Sequence, residues 1–117
     1  MIVSNIIYIL FIHWIADFIA QTDYIAKNKS KSIKVLSEHI IVYFLILYIA
    51  SIPLFGIKVA FSFAFINSVL HFCIDYVTSR IVSYYFNKND THNAFVVIGF
   101  DQFLHVSILL ISAKVML

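Results

Sequence analysis

The chain has 117 residues, of which 62% are hydrophobic and only 12% are charged. Soluble domains carry roughly 25% charged residues, so eight basic and six acidic side chains leave too much apolar surface for water, and lipid is the expected solvent. A net charge of +2 without a basic stripe interleaved with aromatics gives no case for nucleic acid, and the lone Cys73 excludes an intrachain disulfide and a cysteine zinc site.

Four apolar stretches are separable in chain order, at about 2–20, 37–55, 57–80 and 92–116. Each approaches the roughly 20 residues that a helix needs to cross the hydrocarbon core. They lack polar alternation and are too long for barrel strands, so helices are the expected spanning form. The first stretch has no Lys or Arg before it and carries His13 and Asp17 inside it. It is therefore expected to be a retained span and not a cleaved secretory signal. Polar "KNKSKSIK" (Lys27 to Lys34) separates the first two spans. Pro53 and Gly56 break the chain between the second and third, and "NKNDTHN" (Asn87 to Asn93) separates the last two, with Asp90 or Thr91 as N-cap. The fold class read from this pattern is all-α, an integral membrane four-helix bundle forming a single transmembrane domain over 1–117.

Lys27, Lys29, Lys31 and Lys34, with Arg80 and Lys88, lie on one side of this arrangement, against Lys58 and Lys114 on the other. The basic excess puts the first and third linkers in the cytoplasm and both termini on the non-cytoplasmic side. The lysine run is first a topology signal; it would also attract anionic lipid headgroups.

The polar residues within the spans fall into layers. On the descending first helix, Asp17 lies ~6 Å and His13 ~12 Å above the cytoplasmic end near Gln21. On the descending third helix, Asp75 and His71 fall at ~6–8 Å and ~12–14 Å above Arg80. The ascending fourth helix inverts the order, with Asp101 at ~10 Å and His105 at ~16 Å above Ala94. Each of these helices thus offers one carboxylate with one imidazole on its deeper side, and residues four apart share a helix face. The second helix adds Glu38 and His39 at its mouth.

An aspartate near the centre of a span costs roughly 2.5–3.5 kcal/mol on insertion scales. Three of them call for compensation. Carboxylates and imidazoles converging at matched height suit a divalent cation, zinc or manganese, held by His13, Asp17, His71, Asp75, Asp101 and His105. Six donors would also suit two metals. His39, Gln21 and Gln102 are the candidate catalytic residues beside it. Gln21, Gln102, Asn67 and Ser79 are placed to orient ligands. Taken singly, an intramembrane histidine is more often an interhelical hydrogen-bonding group, and a lone His-x-x-x-Asp pair can be an internal ion pair. The alternative for the whole set is a proton relay or a structural polar network.

Three segments carry a family resemblance: His13-x-x-x-Asp17-Phe18-x-x-Gln21-Thr22-Asp23, His71-x-x-x-Asp75, and Asp101-Gln102-x-x-His105, with His39 between the first two. The chain resembles, over nearly its whole length, the small bacterial and phage membrane proteins grouped as domain of unknown function 3307. The resemblance implies a helical integral membrane fold and marks these positions as the site; it implies no activity. The expected location is the bacterial inner (cytoplasmic) membrane. The short His/Asp motifs are also similar to those of membrane-bound metal-dependent hydrolases.

Three functions follow as expectations. The first is a metal-dependent hydrolase of a lipid-type or phosphoester substrate, in which the metal activates water and an uncoordinated carboxylate or His39 serves as general base. The second is a metal or proton transporter. It would need polar groups through the outer half, where the sequence offers few unless the chain forms a homo-oligomer. The third is a non-enzymatic membrane interaction protein whose polar cluster is structural.

Overall fold

The computed structural model describes all residues, 1–117. The chain is all-helical. Helix α1 (Val3–Trp14) runs straight into a π-helical turn (Ile15–Ile19), closed by the Ala20 N–H donating to the Ile15 carbonyl at 2.9 Å. Short α2 (Asp23–Asn28) starts at Thr22, whose hydroxyl accepts from the Ile25 N–H. Helix α3 (Ile33–Asn87) and helix α4 (Thr91–Met116) follow.

Helix α3 is not one rod. A straight helix of 55 residues would span ~83 Å, whereas the longest dimension of the molecule is 45 Å. The break lies at Gly56, with φ 79 and ψ 168, three residues after Pro53. That backbone angle is open to glycine and costly for a residue with a Cβ. The ring contacts of Phe44 and Tyr48 with Phe61, each 5.5 Å between centroids, show the first arm (33–55) lying against the second (57–87) in a hairpin.

Helix α4 then packs antiparallel to the second arm. Asn67 donates to the Ser112 hydroxyl at 2.9 Å, and Thr78 donates to Asp101 Oδ1 at 2.5 Å, two helical turns or more further along both. Helix α1 packs antiparallel to the first arm, with the Tyr8 hydroxyl donating to the Ala50 carbonyl at 2.6 Å and His13 meeting Tyr43.

Several boundaries differ from those expected. The second helix begins at Ile33, not 37, because Ser32 accepts from the Val35 N–H and starts it early. Part of the lysine linker is helical, as α2. The third continues beyond Arg80 to Asn87, since the run Ile81 to Phe86 holds no breaker. It stops where Asn89 takes a left-handed φ of 58. There the Asp90 N–H bonds back to the Tyr85 carbonyl and the Asn89 N–H to the Phe86 carbonyl, the Schellman pattern. Asp90 then caps α4, accepting from the Asn93 N–H at 3.1 Å.

The interior is divided along its length. At one end Ile9, Leu47, Phe63, Ala64, Leu109 and Ala113 form a dry aliphatic and aromatic core. At the other the buried side chains include four histidines and three aspartates, with Thr78 and Ser79 among them. The outside is largely apolar: Phe11, Trp14 and Phe65 are about half exposed, and Ile49, Phe103 and Ile111 near two-thirds. α3 and α4 are long and apolar enough to cross a membrane.

Candidate metal centre

The π turn is where the site begins. An i→i−5 bond widens the helix locally, a feature that recurs at functional sites, and here it ends the helix before Gln21. His13 and Asp17 are both buried as neighbours on one face. Gln21 falls off that row and lines a cavity at the mouth, where its Oε1 is buried with no hydrogen-bond partner.

Four side chains from three rods converge on a small volume. His39 Nε2 stands 3.1 Å from Asp17 Oδ1 and 3.3 Å from His71 Nε2. His71 Nε2 is 3.3 Å from the same Asp17 oxygen. Asp75 Oδ2 is 3.6 Å from His39 Nε2 and 3.8 Å from His71 Nε2. All four residues are at least 96% buried, their relative exposures being 4%, 1%, 1% and 2% for Asp17, His39, His71 and Asp75. Donors bound to one zinc at about 2.0–2.1 Å in a tetrahedron lie roughly 3.4 Å apart. These distances bracket that edge. Two imidazole nitrogens facing each other across 3.3 Å while both face one carboxylate oxygen is poor geometry for a hydrogen-bond network and good geometry for a shared cation. His39, His71 and Asp75 form one grouping of donor atoms able to hold a metal ion; Asp17, His71 and His105 form a second that overlaps it.

His13 is engaged differently. Its Nδ1 is 3.0 Å from the Tyr43 hydroxyl and its Nε2 is 2.9 Å from Gln102 Oε1. A carbonyl oxygen can only accept, so His13 donates from Nε2 and accepts the Tyr43 proton at Nδ1. Gln102 in turn donates from Nε2 to Asp17 Oδ2 and to Asp101 Oδ2, both at 3.0 Å. The relay Tyr43, His13, Gln102 thus fixes the rotamers of two carboxylates from behind, the usual outer support of a metal site. His13 lies outside both groupings of donor atoms.

Asp101 and His105 make a pair of their own. His105 Nδ1 is 3.2 Å from Asp101 Oδ2, and the Asp101 Oδ1 takes the Thr78 hydroxyl. Both His105 ring nitrogens are buried, and neither makes a hydrogen bond. The His105 ring stacks on that of His71, with centroids 3.9 Å apart. Asn67 is drawn away from the cluster to Ser112 and the Phe63 carbonyl.

A cavity of about 530 Å³ opens beside the cluster. Asp17, Asp75, Asp101 and Gln102 line its inner end, and Lys27, Lys29 and Lys31 its outer end. Lys29 reaches in, its Nζ 3.0 Å from Asp75 Oδ2. Three buried carboxylates therefore meet one ammonium, which leaves two negative charges wherever the imidazoles are neutral.

Two of these partners have a signal in the sequence: Tyr43 lies four residues after His39 and Thr78 three after Asp75, each one turn along the same face. Lys29 has none, since a linker residue has no periodicity to place it.

A family model described as protein of unknown function (DUF3307) matches residues 6–117. The chain belongs to the DUF3307 family. The match covers nearly the whole chain, the extent over which the motif resemblance runs. No curated protein and no solved structure matches the chain.

Proposed function

We propose that this DUF3307 protein is a four-helix integral membrane bundle, with both termini on the non-cytoplasmic side of a bacterial inner membrane, that holds a divalent metal and hydrolyses a phosphoester or lipid-type substrate at the cytoplasmic leaflet. The metal is zinc or manganese; His39, His71 and Asp75 would hold it, a water would take the fourth position, and Asp17 stands against both imidazoles. The observation that carries this reading is the set of donor separations of 3.3–3.8 Å among His39, His71 and Asp75, with Asp17 Oδ1 at 3.1 and 3.3 Å from the two imidazoles. Charge supports it as well: a divalent cation balances the two negative charges that Lys29 leaves over. In hydrocarbon, or in an interior shielded by it, that imbalance would be expensive.

The metal, when bound, supplies a water of lowered pKa and a Lewis acid. The chain's own residues do the remainder. His105 serves as general base: its Nδ1 lies 3.2 Å from Asp101 Oδ2, and its Nε2, buried without a partner, is free to take a proton. His71, stacked beneath it, sets the ring plane. This proposal exchanges the roles expected of His39 and His105: His39 Nε2 stands 3.1–3.6 Å from Asp17, His71 and Asp75, while His105 also belongs to a donor grouping with Asp17 and His71. Gln102 keeps Asp17 and Asp101 apart and oriented. The cavity admits the substrate from the lysine side.

A transport path is disfavoured because Ile9, Leu47, Phe63 and Leu109 fill the interior beyond the cluster. The test is hydrolysis of phosphatidate and of an aryl phosphodiester by the purified protein in nanodiscs, with zinc or manganese. Activity should vanish with chelator and in Asp75→Asn. In Asp101→Asn it should fall by about 10²–10⁴ while the bound metal stays. Turnover indifferent to chelation and to both substitutions would overturn the reading.

A further inference from the structure

The cavity is far larger than a metal and its water require; at about 530 Å³ it has the size of a small-molecule site. Its wall carries hydroxyls from Thr78, Ser79 and Ser83 and ammonium groups from Lys27, Lys29 and Lys31. Ser79 is 8% exposed, and its Oγ has no hydrogen-bond partner. Gln21 Oε1, on the same wall, has none either. Buried polar atoms left unpaired are costly, and here two of them belong to residues that line one chamber.

Lys29 is the connection between this chamber and the cluster. Its ammonium lies 3.0 Å from Asp75 Oδ2, the same oxygen that faces His39 and His71. Two cations compete for one carboxylate oxygen, since each weakens the field that the other feels. Lys29 sits at the C-terminal end of α2, a helix of 6 residues, so its four-carbon stem can swing while the rods stay fixed.

We propose that the chamber is a phosphate-type oxyanion site and that Lys29 couples it to the metal: a metal at Asp75 releases the ammonium, which then holds the oxyanion together with Lys27, Lys31 and the Ser79 hydroxyl. This rests on the metal reading above. It gives the site an order, in which metal loading assembles the anion-binding group and the anion secures the metal. By linkage, each ligand must raise the affinity of the other by the same factor.

The experiment is zinc titration of the detergent-purified full chain against a chromophoric chelator, with and without methylphosphonate, a non-hydrolysable phosphate-type anion. In wild type, methylphosphonate should tighten zinc about tenfold, within the usual span of such couplings. Lys29→Met should bind zinc about tenfold more tightly than wild type when no anion is present, and methylphosphonate should no longer change it. Misfolding cannot produce a gain in affinity. Lys29→Arg should retain the coupling. A parallel titration in nanodiscs with and without phosphatidate separates the sources: coupling there alone makes the anion a lipid headgroup, and coupling with methylphosphonate makes it a soluble phosphate ester. If zinc binds but neither anion alters it, or Lys29→Met binds zinc as wild type does, the coupling is wrong and the metal site stands. If wild type binds neither zinc nor, titrated in the same way, manganese, both fail.

Discussion

The two ends of the interior are held together by different physics. At the non-polar end, Ile9, Leu47, Phe63, Leu109 and Ala113 interlock, each 0% exposed, and stability comes from close packing that no single group dominates. At the polar end, His39, His71, Asp17, Asp75, Asp101 and His105 are buried too; the carboxylates take hydrogen bonds from Lys29, Gln102 and Thr78, yet His71 Nδ1 and both ring nitrogens of His105 have no partner. The first end is a core that explains itself. The second sets three buried carboxylates against one ammonium, and the proposed metal is placed there for that reason.

That contrast is breakable from both sides. Phe63→Ala strikes the dry end, where the ring lies 4.7 Å from that of Phe55. Thermal unfolding in detergent should show a loss of about 3 kcal/mol, while zinc bound per chain at saturation stays that of wild type. A loss of metal in step with stability would mean that the two ends are one unit. His13→Ala strikes the relay behind the cluster. It removes the group that orients Gln102 but no proposed ligand, so zinc affinity should weaken by about 10–100-fold without abolishing binding. Complete loss would make His13 a direct ligand.

The smallest effect lies outside both ends, at the turn before α4. The Asn93 side-chain amide, followed by the Asn93 backbone N–H, holds the Asp90 carboxyl below its ordinary value of 3.8. A carboxyl lowered in the folded state stabilises the fold fully above that ordinary value, and the contribution is lost as the pH falls through the lowered one. The Asn93 amide resonance should therefore titrate with a midpoint below 3.8 and not respond at all in Asp90→Asn. A midpoint at or above it would remove the cap from the account, leaving the cluster untouched.

Much of the site was legible because helices impose period. His13 with Asp17, His71 with Asp75 and Asp101 with His105 are each one turn apart, and the inversion on the last helix aligns them once the rods alternate in direction. The family resemblance pointed to the same positions and is borne out by the match over residues 6–117. What spacing could not supply was geometry between rods. It could not tell that His39 Nε2 lies among the carboxylates while His13 turns to Tyr43 and Gln102, because that depends on the rotation of each helix about its axis. It could not foresee the π turn that drops Gln21 from the row, nor Lys29 reaching back from a linker. Helix ends were misplaced where caps and not hydropathy decide them, at Ser32 and Asn89.

The most direct test of the central claim is X-ray absorption at the zinc edge of the purified protein loaded with one equivalent of metal. Four nitrogen and oxygen donors at about 2.0–2.1 Å, with the outer-shell scattering of two imidazoles that falls to one in His39→Ala, is the predicted result. Zinc that washes away, or a coordination shell that His39→Ala leaves unchanged, would contradict it.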